Sequence, residues 1–255
     1  IIALKKYSYP TYNLIFKPLK MKLYRHLFTF FILFLSIYGY SIDSLNLIHS
    51  NVSYDTNQVV DIEGNDYEVV IIGKQVWMQE NLRTSTYRNG DTIVHAPKNT
   101  DWAGLQKGAW CMVENSNTQC EIYGKLYNHF AITDPRGLCP KGWRVPSEED
   151  FTKLAQFLGG EAVAGGKLKD VGTSCWQTPN LGASNESGFS GLPGGQRSSS
   201  GKFGNIGNIG SWWTSTKNQN NTAWSISLFA YTGGNAVYKY YQELNAGLSV
   251  RCIKD

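Results

Sequence analysis

Residues 137–154 read GLCPKGWRVPSEEDFTKL and contain a complete helix start. Pro146 and Ser147 precede Asp150 at capping-box spacing, so the Ser hydroxyl and the acidic side chain can each satisfy a backbone group at the helix end. Phe151, Leu154, Ala155 and Leu158 then line one face. Gly159-Gly160 stops the helix, because glycine reaches the left-handed conformation without a side-chain clash. A second short amphipathic helix is expected just upstream, at residues 123–131, where Tyr123, Leu126, Tyr127, Phe130 and Ala131 recur at helical spacing.

Outward from these helices the patterns change to β. From Tyr67, YEVVIIGKQVWMQENL consists of two β-rich runs around Gly73-Lys74, which predicts a hairpin with Gly supplying the positive φ. Residues 84–110 mix Asn, Gly, Pro, Lys and Trp without a period and read as a long surface loop. After Gly166 the chain is rich in Gly, Ser and Asn, with short aromatic strands at residues 211–216, 223–229 and 248–253. Early helices and late antiparallel strands make an α+β domain.

The N-terminal region reads differently. Met21 opens a signal peptide over residues 21–41: Lys22 and Arg25 form a positive start, 27–38 is apolar, and Gly39 and Ser41 are small residues for cleavage. A twelve-residue apolar run is too short to span a bilayer, so no stable membrane span is expected after cleavage. Residues 1–20 read as translated upstream sequence, 42–60 as a polar linker, and 61–255 as the domain. The formal charge of +4 belongs to the leader: residues 1–41 hold six Lys/Arg and no acid, leaving 18 basic against 20 acidic, a net of −2. No basic stripe for nucleic acid remains.

Motifs for catalysis are sparse. Gly188-Phe-Ser190-Gly191-Leu192 lacks the second Gly of a nucleophile elbow and reads as a turn. The glycines at 204, 207 and 210 do not have dinucleotide-binding spacing. His49, His95 and His129 form no metal pattern, and the DIEGND run at 61–66 reads as a turn rather than a calcium loop. No catalytic residue, metal or cofactor is assigned.

Trp77, Trp110, Trp143 and Trp224 read as core. Trp212 and Trp213 are adjacent, so on a strand one points inward and the other outward as a contact residue. Arg197, after a Pro-Gly-Gly turn, either binds an anion or holds its loop through backbone carbonyls. With Asn208 in the Gly/Asn loop, Arg197, Trp212 and Trp213 form the candidate ligand-binding set. The five cysteines (Cys111, Cys120, Cys139, Cys175 and Cys252) include no CxxC, and two bridges can be chosen among them in 15 ways.

IGKQVWMQENL, YGKLYNHFA, GLCPKGWRVPSEEDFTKL, GFSGLPGGQR, WWTST and GLSVRCIKD occur in that order. Together they closely resemble the Fibrobacter succinogenes major paralogous domain, a family of exported bacterial proteins of uncharacterised function. GWRVPSEEDF and GLSVRCIKD are also distantly similar to the formylglycine-generating, sulfatase-modifying enzymes, which implies a C-type-lectin-like fold. That enzyme class uses two nearby cysteines ahead of its closing strand, and only Cys175 lies between residues 140 and 251. The resemblance therefore does not imply that activity. It does imply a Cys139–Cys252 bridge from the terminal strand to a position near the second helix. Cys111–Cys120 would then close a local loop and leave Cys175 over. The expected function is an exported, non-catalytic binding or adhesion module for a glycan or protein. A structural surface-assembly role and an enzyme built on the formylglycine-generating scaffold are the alternatives.

Overall fold

The computed structural model describes residues 58–255, apart from Thr232 and the side chains of Asn117 and Cys120. The expected signal peptide and upstream segment lie outside the described residues. The chain enters on β1 (Gln58–Val60), inside the expected linker, and β1 pairs antiparallel with β2 (Asp66–Ile72). Asp61 organises the turn between them. Its carboxylate accepts from Glu63 N and Asn65 N at 3.0 Å, Asn65 Nδ2 at 2.9 Å and Tyr67 Oη at 2.8 Å. Asp61 thus spends its carboxylate on its own turn, while Glu63 reaches out of it and accepts from Ser85 N at 2.8 Å. β2 and β3 (Gln75–Met78) form the expected hairpin, with Ile72 opposite Gln75 and Gly73 at φ +63°.

Residues 84–110 are not a surface loop. They carry β4 (Val94–His95), α1 (Asn99–Trp102) and the start of β5 (Ala109–Met112), and they bury Tyr87, Ile93 and Trp102. Elements of two to four residues have no period for a sequence to reveal. Their order comes from distant partners, such as the Asn245 carbonyl that accepts the Trp102 indole N–H at 2.8 Å.

The helix expected at residues 123–131 is also corrected. The chain forms α2 (Asn117–Tyr123), reverses at Gly124 (φ +77°), and passes through β6 (Lys125–Tyr127) into the one-turn α3 (His129–Ile132). Cys111 and Leu126 face each other between β5 and β6, while Leu248 bridges Tyr127. All three β6 residues are buried, and a fully buried strand loses the alternation that distinguishes it from a helix.

β7 (Trp143–Arg144) leads to α4 (Glu148–Phe157), the helix read from the capping box. Both halves of the box form: Asp150 N donates to Ser147 Oγ at 3.2 Å, and Ser147 N donates to Asp150 Oδ2 at 2.6 Å. Burial works against the Asp150 charge, but bonds from Arg144 and Ser147 outweigh it and hold the carboxyl down at about 2. Gly159 and Gly160, both at positive φ, end α4, and Gly160 then starts α5 (Glu161–Leu168), a helix with no signal of its own in the sequence reading.

The remainder is strand: β8 (Gln196–Arg197), β9 (Phe203–Gly204), β10 (Ile209–Lys217), β11 (Thr222–Phe229), β12 (Tyr238–Glu243) and β13 (Ile253–Lys254). β13 inserts between β3 and β7 in the sheet β1-β2-β3-β13-β7. Just upstream, the closing segment joins the sheets β4-β5-β6 and β10-β11-β12: Leu248 exchanges backbone bonds with Tyr127, and Ser249 bonds to Ser211 and Trp213. The strand expected at 248–253 is therefore a run of single bridges that becomes regular only at Ile253.

The Cys139–Cys252 bridge is present, spanning 113 residues. Cys111 is buried in β5, whereas the expected Cys111–Cys120 pairing falls on a side chain outside those described. Cys175 is half-buried with a free thiol. The domain is α+β, and no helix among the described residues is long and apolar enough to cross a membrane.

Candidate functional site

Three of the four expected contact residues are interior. Trp212 is 1% exposed and Trp213 is 0% exposed, so neither ring points outward. The strand argument assumed that one face of β10 meets water, but β10 is covered on both. Trp212 packs with Trp77, Phe151 and Leu154 on the α4 side, and Trp213 packs with Tyr127, Ala131 and Leu248 on the other. Each indole N–H is satisfied inside, by Asn81 Oδ1 and by the Tyr127 carbonyl, at 2.7 Å.

Arg197 is fully buried and holds its loop. It donates to the carbonyls of Ala96 (2.6 Å), Pro97 (2.8 Å) and Gly201 (2.8 Å), and its guanidinium lies between the rings of Trp102 and Phe203. Asn208 is half-buried in the turn before β10, where its backbone bonds to Asn205 and Ala230. These four residues do not share a surface.

Two further buried cations escaped the sequence reading. Arg251 donates to Asn81 Oδ1 and the Phe189 carbonyl and lies over the Phe189 ring, and burial lowers its pKa to about 9. Lys169 donates to the carbonyls of Leu181 and Phe229 at 2.7 and 2.8 Å, and burial lowers it to about 8. Both sit on carbonyls and aromatic faces, which provide acceptors without a carboxylate. GGQR, WWTST and SVRC are thus scaffold motifs.

His129 is fully buried, edge-on to Trp213, with Nε2 3.0 Å from the Thr214 carbonyl. Burial lowers its pKa to about 4. An unfolded imidazole titrates near 6.5, so the unfolded chain binds more protons between those values. The stability from neutral His129 is therefore complete above pH 6.5 and is lost as pH falls towards 4, by about 3 kcal/mol. Urea unfolding at pH 7.5 and 4.5 measures this loss. A His129→Asn variant is expected to show a smaller pH dependence, and an equal dependence would contradict the assignment.

The aromatic surface lies instead on β12, the outer strand of its sheet. Tyr240 and Tyr241 are 41% and 51% exposed and, as neighbours on a strand, point to opposite faces. Tyr241 packs on Trp224 with ring centroids 3.9 Å apart. On that face Lys239 bonds to Glu148 and Glu161 at 2.6 Å, tying β12 to α4 and α5. The other face carries Tyr238 and Tyr240, with centroids 6.3 Å apart and ring planes within 14°, flanked by Phe229 at 5.1 Å from Tyr238. The alternation Tyr238, Tyr240, Gln242 was the available signal, masked by the intervening Lys239, Tyr241 and Glu243.

These features define a disulfide-stapled α+β domain, closed by its own C-terminal strand, with interior signature motifs and an aromatic edge strand. The chain belongs to the family of the Fibrobacter succinogenes major domain, whose sequence model matches residues 70–254. No curated protein and no solved structure matches it.

Proposed function

We propose that the protein is an exported, non-catalytic adhesion module that holds a neutral polysaccharide on the Tyr238–Tyr240 face of β12. The near-parallel pair of tyrosine rings, 6.3 Å apart on an outer strand, carries this reading. Aromatic rings pack against the apolar faces of sugar rings while the phenol hydroxyls remain free to hydrogen-bond, and two aligned rings suit consecutive sugars. The net charge of −2 beyond residue 41 disfavours an anionic polymer.

Export is supported by the leader at Met21 and by the Cys139–Cys252 bridge, a bond that persists in oxidising compartments. The lectin-like fold rests on motif resemblance, and the tie between the closing strand and Cys139 fits it. A second reading, assembly by strand addition, is favoured by the outer position of β12.

Affinity electrophoresis of the protein through gels containing hydroxyethylcellulose, laminarin or glucomannan separates the two. Retardation in at least one gel is expected. Unaltered migration in all three would remove the glycan reading, and sedimentation would then test for self-association.

A further inference from the structure

A second open edge lies away from β12. β1 covers β2 only as far as the Gln58–Glu68 pair, so the stretch Val69–Ile72 has no strand on its outer side among the described residues. Two bonds fix which backbone groups face which way. Glu68 N donates to Glu80 Oε2 at 2.9 Å, and the Glu68 carbonyl accepts from Gln79 N at 2.8 Å, so the groups of Glu68 face the β3 side. Hydrogen-bonding direction alternates along an antiparallel strand, and the N–H and C=O of Val69 and Ile71 therefore point outwards. Edges of this kind are ordinarily guarded by proline, a bulge or a charge in mid-strand. Val69–Ile72 reads Val-Val-Ile-Ile in unbroken register with β3 and has none of these. Ile71 is 72% exposed, the largest value for a bulky apolar side chain among the described residues.

The edge is complementary to itself. Gln58 limits the open window to Val69–Gly73, and Ile71 is its centre. Two copies related by a two-fold axis at Ile71 pair with Ile71 opposite Ile71, Val70 opposite Ile72 and Val69 opposite Gly73. Outward-pointing residues then meet outward-pointing residues, as an antiparallel ladder requires. A shift of two residues one way drives the copy's Ile72 into the place held by Gln58, and a shift the other way leaves only Ile71–Gly73 paired. The charges flanking the window are opposite, Glu68 before it and Lys74 after it. Antiparallel pairing sets the carboxylate of each copy beside the ammonium of the other, which favours a second copy over an unrelated strand.

We propose that the protein self-associates as a two-fold pair through this edge, β2 of one copy extending the sheet of the other. The pairing is independent of the tyrosine face. Sedimentation equilibrium of the purified protein, from low micromolar to near-millimolar concentration, tests it together with amide hydrogen exchange. A dimer grows with concentration, and the amides of Val69 and Ile71 become protected as it does. Ile71→Lys opposes two ammonium groups at the axis and weakens association about tenfold or more, while the Tm is unchanged because the side chain is solvent-facing in the monomer. Glu68→Lys and Lys74→Glu each weaken association, and the double swap restores it. A monomer at every concentration, a dimer indifferent to Ile71→Lys, or a double swap without rescue overturns the pairing. Concentration-dependent protection on β12 instead assigns assembly to that strand and overturns it as well. So does full protection of Val69 and Ile71 in a monomer, which would mean that the chain before Gln58 covers the edge.

Discussion

Replacing both Cys139 and Cys252 with Ser lowers the unfolding free energy by about 5 kcal/mol. The bridge closes a loop of 113 residues, and chain-entropy scaling gives about 4.8 kcal/mol for a loop of that length. Domains of this size are typically stable by only about 5–15 kcal/mol, so the loss is a large fraction of the whole. The location sharpens the effect. Cys252 precedes β13, the strand that inserts between β3 and β7, and the Cys252 carbonyl also accepts from Met78 N at 3.1 Å. Urea unfolding of the double variant, without reductant, measures the change. A loss below about 1 kcal/mol would mean that the closing strand is held by its hydrogen bonds and packing alone.

Arg197→Ala costs about 3–5 kcal/mol. It strands the buried carbonyls of Ala96, Pro97 and Gly201 and opens a void between Trp102 and Phe203. Lys does not restore the stability, because a point ammonium cannot reproduce the planar fork that reaches several carbonyls while stacked between rings. Equilibrium unfolding of Arg197→Ala and Arg197→Lys checks both statements. A near-neutral Arg197→Ala would return this side chain to the list of ligand contacts.

What the sequence disclosed follows from range. α4 was legible because a capping box and a one-sided apolar stripe lie within about a dozen residues, and the β2–β3 hairpin because Gly73-Lys74 sits between two β-rich runs. The Cys139–Cys252 pairing came from family resemblance rather than from local pattern. The failures depend on what covers an element. β6 imitated a helix because both its faces are buried, and the two tryptophans of β10 lost their inside–outside distinction for the same reason. Arg197 offered two readings, and only the distant carbonyls of residues 96 and 97 choose between them. The tyrosine face was hidden by the opposite case: β12 is polar or aromatic at every position, so its alternation carries no apolar signal.

The central claim is that the aromatic and basic motifs build the interior while β12 presents the binding surface. Affinity electrophoresis of the Tyr238→Ala/Tyr240→Ala variant beside the unaltered protein tests it, in the polysaccharide gel that retards the latter most. The variant should remain folded with a lowered Tm, because Tyr240 is 41% exposed while Tyr238 is half-buried against Phe229, and should migrate as in a gel without polysaccharide. Retardation that persists in this variant, or that is lost instead in Tyr241→Ala on the opposite face, would contradict the account.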